Sequence, residues 1–267
     1  MTDLLSYDFV QRGLIAGVLI SLASGVTGVF LILRRMAFLG ASLSHAAFGG
    51  VALGFLLRLE PFTFTLGLLL VVANTLQVLT SSGRIPGDAL LALVFSGGAA
   101  LAVLMVGVVE GFGDAVFGYL FGSILMVSDR DLLLVGAVSV GTLFLVFLRY
   151  RDLLLISFDR DIAKVRGVRV TLLDHLLVSA TTAVVVLGVK AVGVILTSSL
   201  MVIPAMTSLN LAGSFRLALL LSSLLSALSV VLGVMVSLIY NLPPSGVIVG
   251  IMVLIFCVSL ILKRLRS

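Results

Sequence analysis

From Leu217 to Leu262 the chain carries no Asp, Glu, Lys or Arg. An α-helix needs about 20 apolar residues to cross the hydrocarbon core of a bilayer. This run is therefore long enough for two crossings, and Asn241-Leu-Pro-Pro within it is the turn signal between them. Further stretches of roughly 17 residues or more are equally free of charge: Gly13–Leu33, Met36–Leu57 (His45 apart), Pro61–Gly83, Ala89–Val109, Leu132–Leu148 and Ala191–Phe215. Leu176–Val189 is shorter, but Lys190 can snorkel from its end, so it counts as a crossing. Ala115–Ser128 is too short to cross and fits a re-entrant or surface helix. The expected fold is all-α, a polytopic transmembrane helical bundle of eight or nine spans with short re-entrant and cytoplasmic helices.

Composition agrees. Hydrophobic residues make up 61% of the chain and charged residues 11%, against about 25% charged in a soluble domain. The 267 residues suit one transmembrane domain, 1–267, with no soluble ATPase or binding domain attached. The first span has no basic region before it and no small-residue cleavage site after it, so a retained helix is expected. The lone Cys257 rules out an intramolecular disulfide and a cysteine-rich metal cluster. A net charge of +5 could point to nucleic acid, but the bases lie on short loops, where membrane orientation requires them. Arg34 and Arg35 follow the first span, Arg84 the third, six bases between Arg149 and Arg169 the fifth, and Lys263, Arg264 and Arg266 the last. The loop at 110–114 has Glu110 and Asp114 and no base. Basic loops inside give an outer N-terminus, an inner C-terminus and nine crossings. Eight remain possible if 191–215 does not cross fully.

Gly13, Gly17, Ser21 and Gly25 recur every four residues, as do Ser42, Ala46, Gly50 and Gly54. Such stripes let helix backbones approach closely in lipid, where packing drives association. His45 is the one ionisable group in its span, about nine residues past Arg35 and hence about 14 Å deep. A titratable group there is costly, and imidazole is the commonest ligand of transition metals. Two readings stand: a metal-pathway ligand, or a neutral histidine bonded to a neighbour. Its neighbours one turn away, Ala41 and Gly49, are small and leave open space beside the ring. Pro204, among Thr197, Ser198, Ser199, Thr207, Ser208 and Asn210, is expected to kink or break its helix, either to line a pathway or as a structural bend.

Ser157–Gly167 lies in the most basic loop. It reads as a short helix with Ile162 and Val165 on one side, capped by Asp159 and stopped by Gly167. Its apolar side needs a lipid surface or a partner groove. Enzyme signatures are missing: no phosphate loop, GxSxG, HExxH or pair of intramembrane aspartates. His175, beside Asp174 at a cytoplasmic span mouth, reads as interfacial.

Several segments together resemble one family. Arg34-Arg-Met-Ala-Phe-Leu-Gly-Ala-Ser-Leu-Ser-His45 and its continuation to Gly54 look like the second-helix signature of permeases of zinc, manganese and iron ABC importers. Phe158-Asp-Arg-Asp-Ile-Ala-Lys-Val-Arg-Gly167 looks like that family's ATPase-docking loop, and Val192–Ala205, through Pro204, is similar to its IPA segment. Asp88–Ser96 and Tyr119–Leu125 also fit. The resemblance implies a non-enzymatic inner (plasma) membrane permease that forms half of a pathway for a divalent metal ion. Its partners would be cytoplasmic ABC ATPase subunits, an extracytoplasmic metal-binding protein, a second permease copy or paralogue, and lipid. It implies His45 as metal ligand, Phe158, Asp159, Ile162, Val165 and Gly167 as the ATPase-coupling set, Pro204 as a pathway kink, and no permanently bound cofactor. One departure stands out: many members carry Asp four residues before the histidine, and this chain has Ala41. An ion-coupled secondary transporter is the alternative. It needs intramembrane acids, and the spans show almost none.

Overall fold

The computed structural model describes residues 8–83, 85–108, 122 and 127–266. They form eleven helices: α1 (Asp8–Leu33), α2 (Leu39–Leu56), α3 (Pro61–Ser81), α4 (Gly87–Val108), α5 (Asp129–Leu148), α6 (Tyr150–Phe158), α7 (Arg160–Val165), α8 (Val170–Val192), α9 (Val194–Leu211), α10 (Phe215–Tyr240) and α11 (Pro244–Arg266). All but α6 and α7 are long and apolar enough to span a bilayer, nine among the described residues. The acidic loop at 110–114, Arg84, and most of the stretches 115–128 and 119–125 lie outside the described residues.

Helix α8 is longer than the uncharged stretch 176–189. It runs through Asp174 and Lys190 because each charge has a partner. Lys190 Nζ lies 2.7 Å from Asp131 Oδ1 of α5 and 4.5 Å above the Phe62 ring. The α10–α11 turn sits where Asn241-Leu-Pro-Pro marked it: Asn241 takes the left-handed conformation (φ 51°) and Pro244 opens α11. Between α8 and α9 the chain breaks at Gly193 (φ 89°).

Helices α1, α2, α8 and α9 form the interior, with 50–72% of each span buried, while α3, α4, α5, α10 and α11 surround them with 22–39% buried. The interior spans carry buried hydroxyl residues: Ser21, Ser24, Thr27, Ser42, Thr181 and Thr197 are fully buried. Both small-residue stripes are packing seams. A Cβ built at Gly25 would lie 2.8 Å from the Ser222 carbonyl oxygen of α10, and Ser222 donates its hydroxyl to the Gly25 carbonyl at 2.7 Å. Off the stripe, at Gly28, the same atom would lie 1.8 Å from the Met201 carbonyl oxygen of α9. The second stripe divides: Gly50 and Gly54 meet Thr65 and Pro61 of α3, whereas Ala46 meets Gly98 of α4. With the bilayer as solvent on the outer faces, this close backbone approach substitutes for the hydrophobic effect.

The ends of the spans sort into two groups. Arg12 at the start of α1 pairs with Asp129 at the start of α5 (2.9 Å), near the Lys190–Asp131 pair. Arg34 after α1 pairs with Asp174 near the start of α8 (2.7 Å), and Lys263 near the end of α11 donates to Asn210 near the end of α9 (3.2 Å). The nine spans among the described residues alternate and carry α6, α7 and the bases Arg34, Arg35, Lys263 and Arg264 on one side, the side that the positive-inside rule assigns to the cytoplasm.

Candidate functional site: a membrane histidine and a short capped helix

His45 lies in α2, in contact with α4. Arg35 takes a left-handed conformation (φ 58°), and the Met36 amide bonds the Leu31 carbonyl, so residues 34–38 form a turn before α2 begins at Leu39. His45 is therefore about 9 Å into its helix at 1.5 Å per residue, roughly a third of the way along the 18 residues of α2. Its half-buried ring sits 4.2 Å, centroid to centroid, from Phe95 of α4, which in turn lies 5.3 Å from Phe38. The expected open space at Gly49 is filled: a Cβ there would come within 2.6 Å of the Gly98 carbonyl oxygen. Ser42 donates its hydroxyl to the Phe38 carbonyl (2.9 Å), so it is spent on its own helix, whereas the buried Ser44 hydroxyl has no partner among the described residues. No group of three His, Cys, Asp or Glu side chains gathers among the described residues. A lone imidazole is a weak, fast-exchanging ligand.

Pro204 is buried within a continuous α9. The break expected in this stretch falls at Gly193. Proline removes the amide that would bond the Leu200 carbonyl. The surrounding hydroxyls bond carbonyls other than that of Leu200: Thr197 that of Gly193, Ser198 and Ser199 that of Ile195, Thr207 that of Ile203, and Ser208 that of Ala205.

The cytoplasmic segment folds as its residues dictate. The Asp159 carboxylate accepts the amides of Asp161 (3.0 Å) and Ile162 (2.9 Å), two of the donors a helix start leaves unpaired. At the other end Gly167 (φ 77°) donates to the Lys164 carbonyl and Val168 to that of Ala163, a Schellman stop that favours glycine. Ala163 is buried beneath α7, while Phe158, Ile162 and Val165 are 70%, 49% and 89% exposed. An apolar, rigidly capped ridge thus projects on the basic side of the molecule. Phe158 also meets the Phe215 ring edge-on at 6.4 Å.

One cluster beneath this ridge was missed by the sequence reading. Asp174 is buried, and its carboxylate takes Arg34 Nη1 on one oxygen (2.7 Å) and Arg160 Nη2 on the other (2.5 Å). Arg34 also donates to the Ser157 hydroxyl (3.1 Å) and the Leu153 carbonyl (3.4 Å). Burial pushes the Arg34 guanidinium below its ordinary value while Asp174 beside it pushes it up. The one available signal was an acid just inside a span; Arg34 lies 140 residues away in sequence. His175 accompanies it, Nδ1 at 2.7 Å from Asn74 Oδ1 of α3.

The family model of the ABC 3 transport family matches residues 6–263. The manganese import system permease protein ScaB of Streptococcus parasanguinis is 35% identical over 95% of this chain and 90% of its own length. The manganese transport system membrane protein MntC of Listeria monocytogenes is 30% identical, over 97% and 92%. Among solved structures, PsaBC from Streptococcus pneumoniae in complex with Fab superposes with a TM-score of 0.84 at 32% identity, covering 96% of this chain and 92% of that one. With the expected helical bundle in place and the resemblance running nearly end to end, this multi-pass inner-membrane permease belongs to the ABC 3 transport family.

Proposed function

We propose that this chain is the single-domain permease of an ABC importer for a divalent transition metal, manganese ahead of zinc or iron. The observation that carries the reading is the near full-length similarity to permeases named for manganese import, ScaB and MntC. The chain would form half of the translocation path, and a second copy or a paralogue the other half. Cytoplasmic ATPase subunits would grip the exposed ridge of Phe158, Ile162 and Val165, whose shape Asp159 and Gly167 fix. An extracytoplasmic metal-binding protein would deliver the ion, and His45 would pass it on as a transient ligand, with Pro204 shaping the helix beside the path. The chain itself would hydrolyse nothing and hold no resident cofactor; the metal is cargo. Loose binding suits that role, because a conducting site must also release its ion.

The secondary-transporter reading is weakened by the acids present. Asp131 and Asp174 are both tied to basic side chains, and no third acid lies deep in a described span. A proton or sodium carrier would need a carboxylate free to change state. The test is uptake of radioactive manganese by host cells with the chain deleted and restored, in the presence of competing zinc or ferrous iron. The reading expects uptake to follow the chain and manganese to outcompete the others. Uptake independent of the chain would overturn it, and better competition by zinc would reassign the metal.

A further inference from the structure

We propose that Asp174 is the joint that carries the position of the coupling helix α7 into the membrane bundle. The inference rests on the docking reading of α7 and goes beyond it to name the transmitting residues. Helix α7 has six residues and only Ala163 of them is buried, so packing alone ties it weakly to the spans. The directional link is Arg160 to Asp174. Asp174 stands near the start of α8, an interior span, and on its other oxygen holds Arg34, which directly follows α1, another interior span. Arg34 reaches α6 through Ser157 and Leu153, and Gln77 of α3 lies 3.5 Å from the same carboxylate. One buried anion therefore gathers α1, α3, α6, α7 and α8 at the cytoplasmic face. Charge-assisted bonds of this length fix direction as well as distance, which an apolar contact does not.

The two arginines are not equivalent. The Arg34 side chain is 8% exposed and that of Arg160 is 47% exposed. If α7 moves and Arg160 withdraws into water, Asp174 keeps Arg34 and no buried charge is stranded. Both arrangements are electrostatically tolerable, as a two-state element requires. Had Arg160 been the carboxylate's sole partner, its departure would leave an uncompensated buried charge. Asp174 and Arg160 are thus positioning residues that act through the helices they join.

The test is Arg160→Gln in the full complex with its ATPase, reconstituted in liposomes with the metal-binding protein. Arg160 is half-exposed and Arg34 remains, so the variant is expected to fold. The ATPase should stay bound and hydrolyse ATP, while manganese moved per ATP falls by about tenfold, within the ordinary range of coupling free energies. Arg160→Lys should recover part of that ratio. Asp174→Asn should be as uncoupled, and the double variant no worse than the worse single, because both residues act through one contact. Should Asp174→Asn fail to fold, the Arg160 series decides alone. An unchanged ratio in Arg160→Gln overturns the proposal while leaving docking intact. Loss of the ATPase from Arg160→Gln also overturns it, since Arg160 would then be a docking contact itself. A wild-type complex that holds no ATPase removes the docking reading and the proposal with it.

Discussion

Gly98→Ala probes the seam on which the His45 site is built. The added Cβ would lie 2.5 Å from Ala46 Cα, 2.6 Å from the Ala46 nitrogen and 2.7 Å from the His45 carbonyl oxygen, whereas ordinary contact begins at 3.4 Å. All three neighbours are backbone, so no side chain can swing aside; α4 must retreat from α2 by about 1 Å to restore normal carbon contact. The opposite side of the seam is as tight, with Gly49 facing the Gly98 carbonyl. Overpacking of this kind typically costs about 1–3 kcal/mol. The retreat also carries Phe95, one turn from Gly98, away from its 4.2 Å contact with the His45 ring. Gly97→Ala is the matched control: a Cβ there meets nothing within 4 Å, and replacing helical glycine gains up to about 1 kcal/mol in propensity. Thermal unfolding in detergent, read by the fraction of protein remaining monodisperse, should rank Gly97→Ala at or above wild type and Gly98→Ala clearly below. Metal uptake per folded molecule should fall only in the second. Equal stability and uptake in the two variants would refute the close α2–α4 approach.

Restoring a carboxylate with Ala41→Asp, one helical turn before His45, should tighten metal binding measured by manganese titration and slow release. Ile162→Asp and Gly167→Pro should each leave the protein inserted but strip the ATPase from it on copurification. The first puts a charge on the exposed apolar ridge, and the second places proline, fixed near φ −65°, where the backbone needs φ 77°. Glu60 caps α3 by accepting the Thr63 amide, which holds its carboxyl below the ordinary glutamate range. Its stabilisation is therefore present above the unfolded value of about 4.3 and is lost as pH falls through the lowered folded value. The melting difference between wild type and Glu60→Ala should accordingly be visible at about pH 7 and shrink towards about pH 3.

The spans were legible because the bilayer demands long uncharged runs, and the α10–α11 turn because Asn241 and Pro244 carry local backbone signals. Helix α7 was legible for the same reason: Asp159 and Gly167 act within a turn of themselves. What escaped was non-local. The start of α2 at Leu39 follows the left-handed Arg35 and the packing around it, so the helix begins six residues before His45. The space beside the ring is occupied by Gly98, 53 residues on in sequence. Helix α8 continues through Asp174 because Arg34 and Arg160 neutralise it, a partnership that no spacing or periodicity announces.

The most direct test of the account is transport by the purified complex. The chain, its ATPase and the metal-binding protein would be reconstituted in proteoliposomes, with wild type and His45→Ala compared for manganese accumulation with and without ATP. The account predicts accumulation that requires ATP, is indifferent to collapse of the proton and sodium gradients, and drops strongly in His45→Ala without loss of folded protein. Accumulation driven by an ion gradient in the absence of ATP would contradict it.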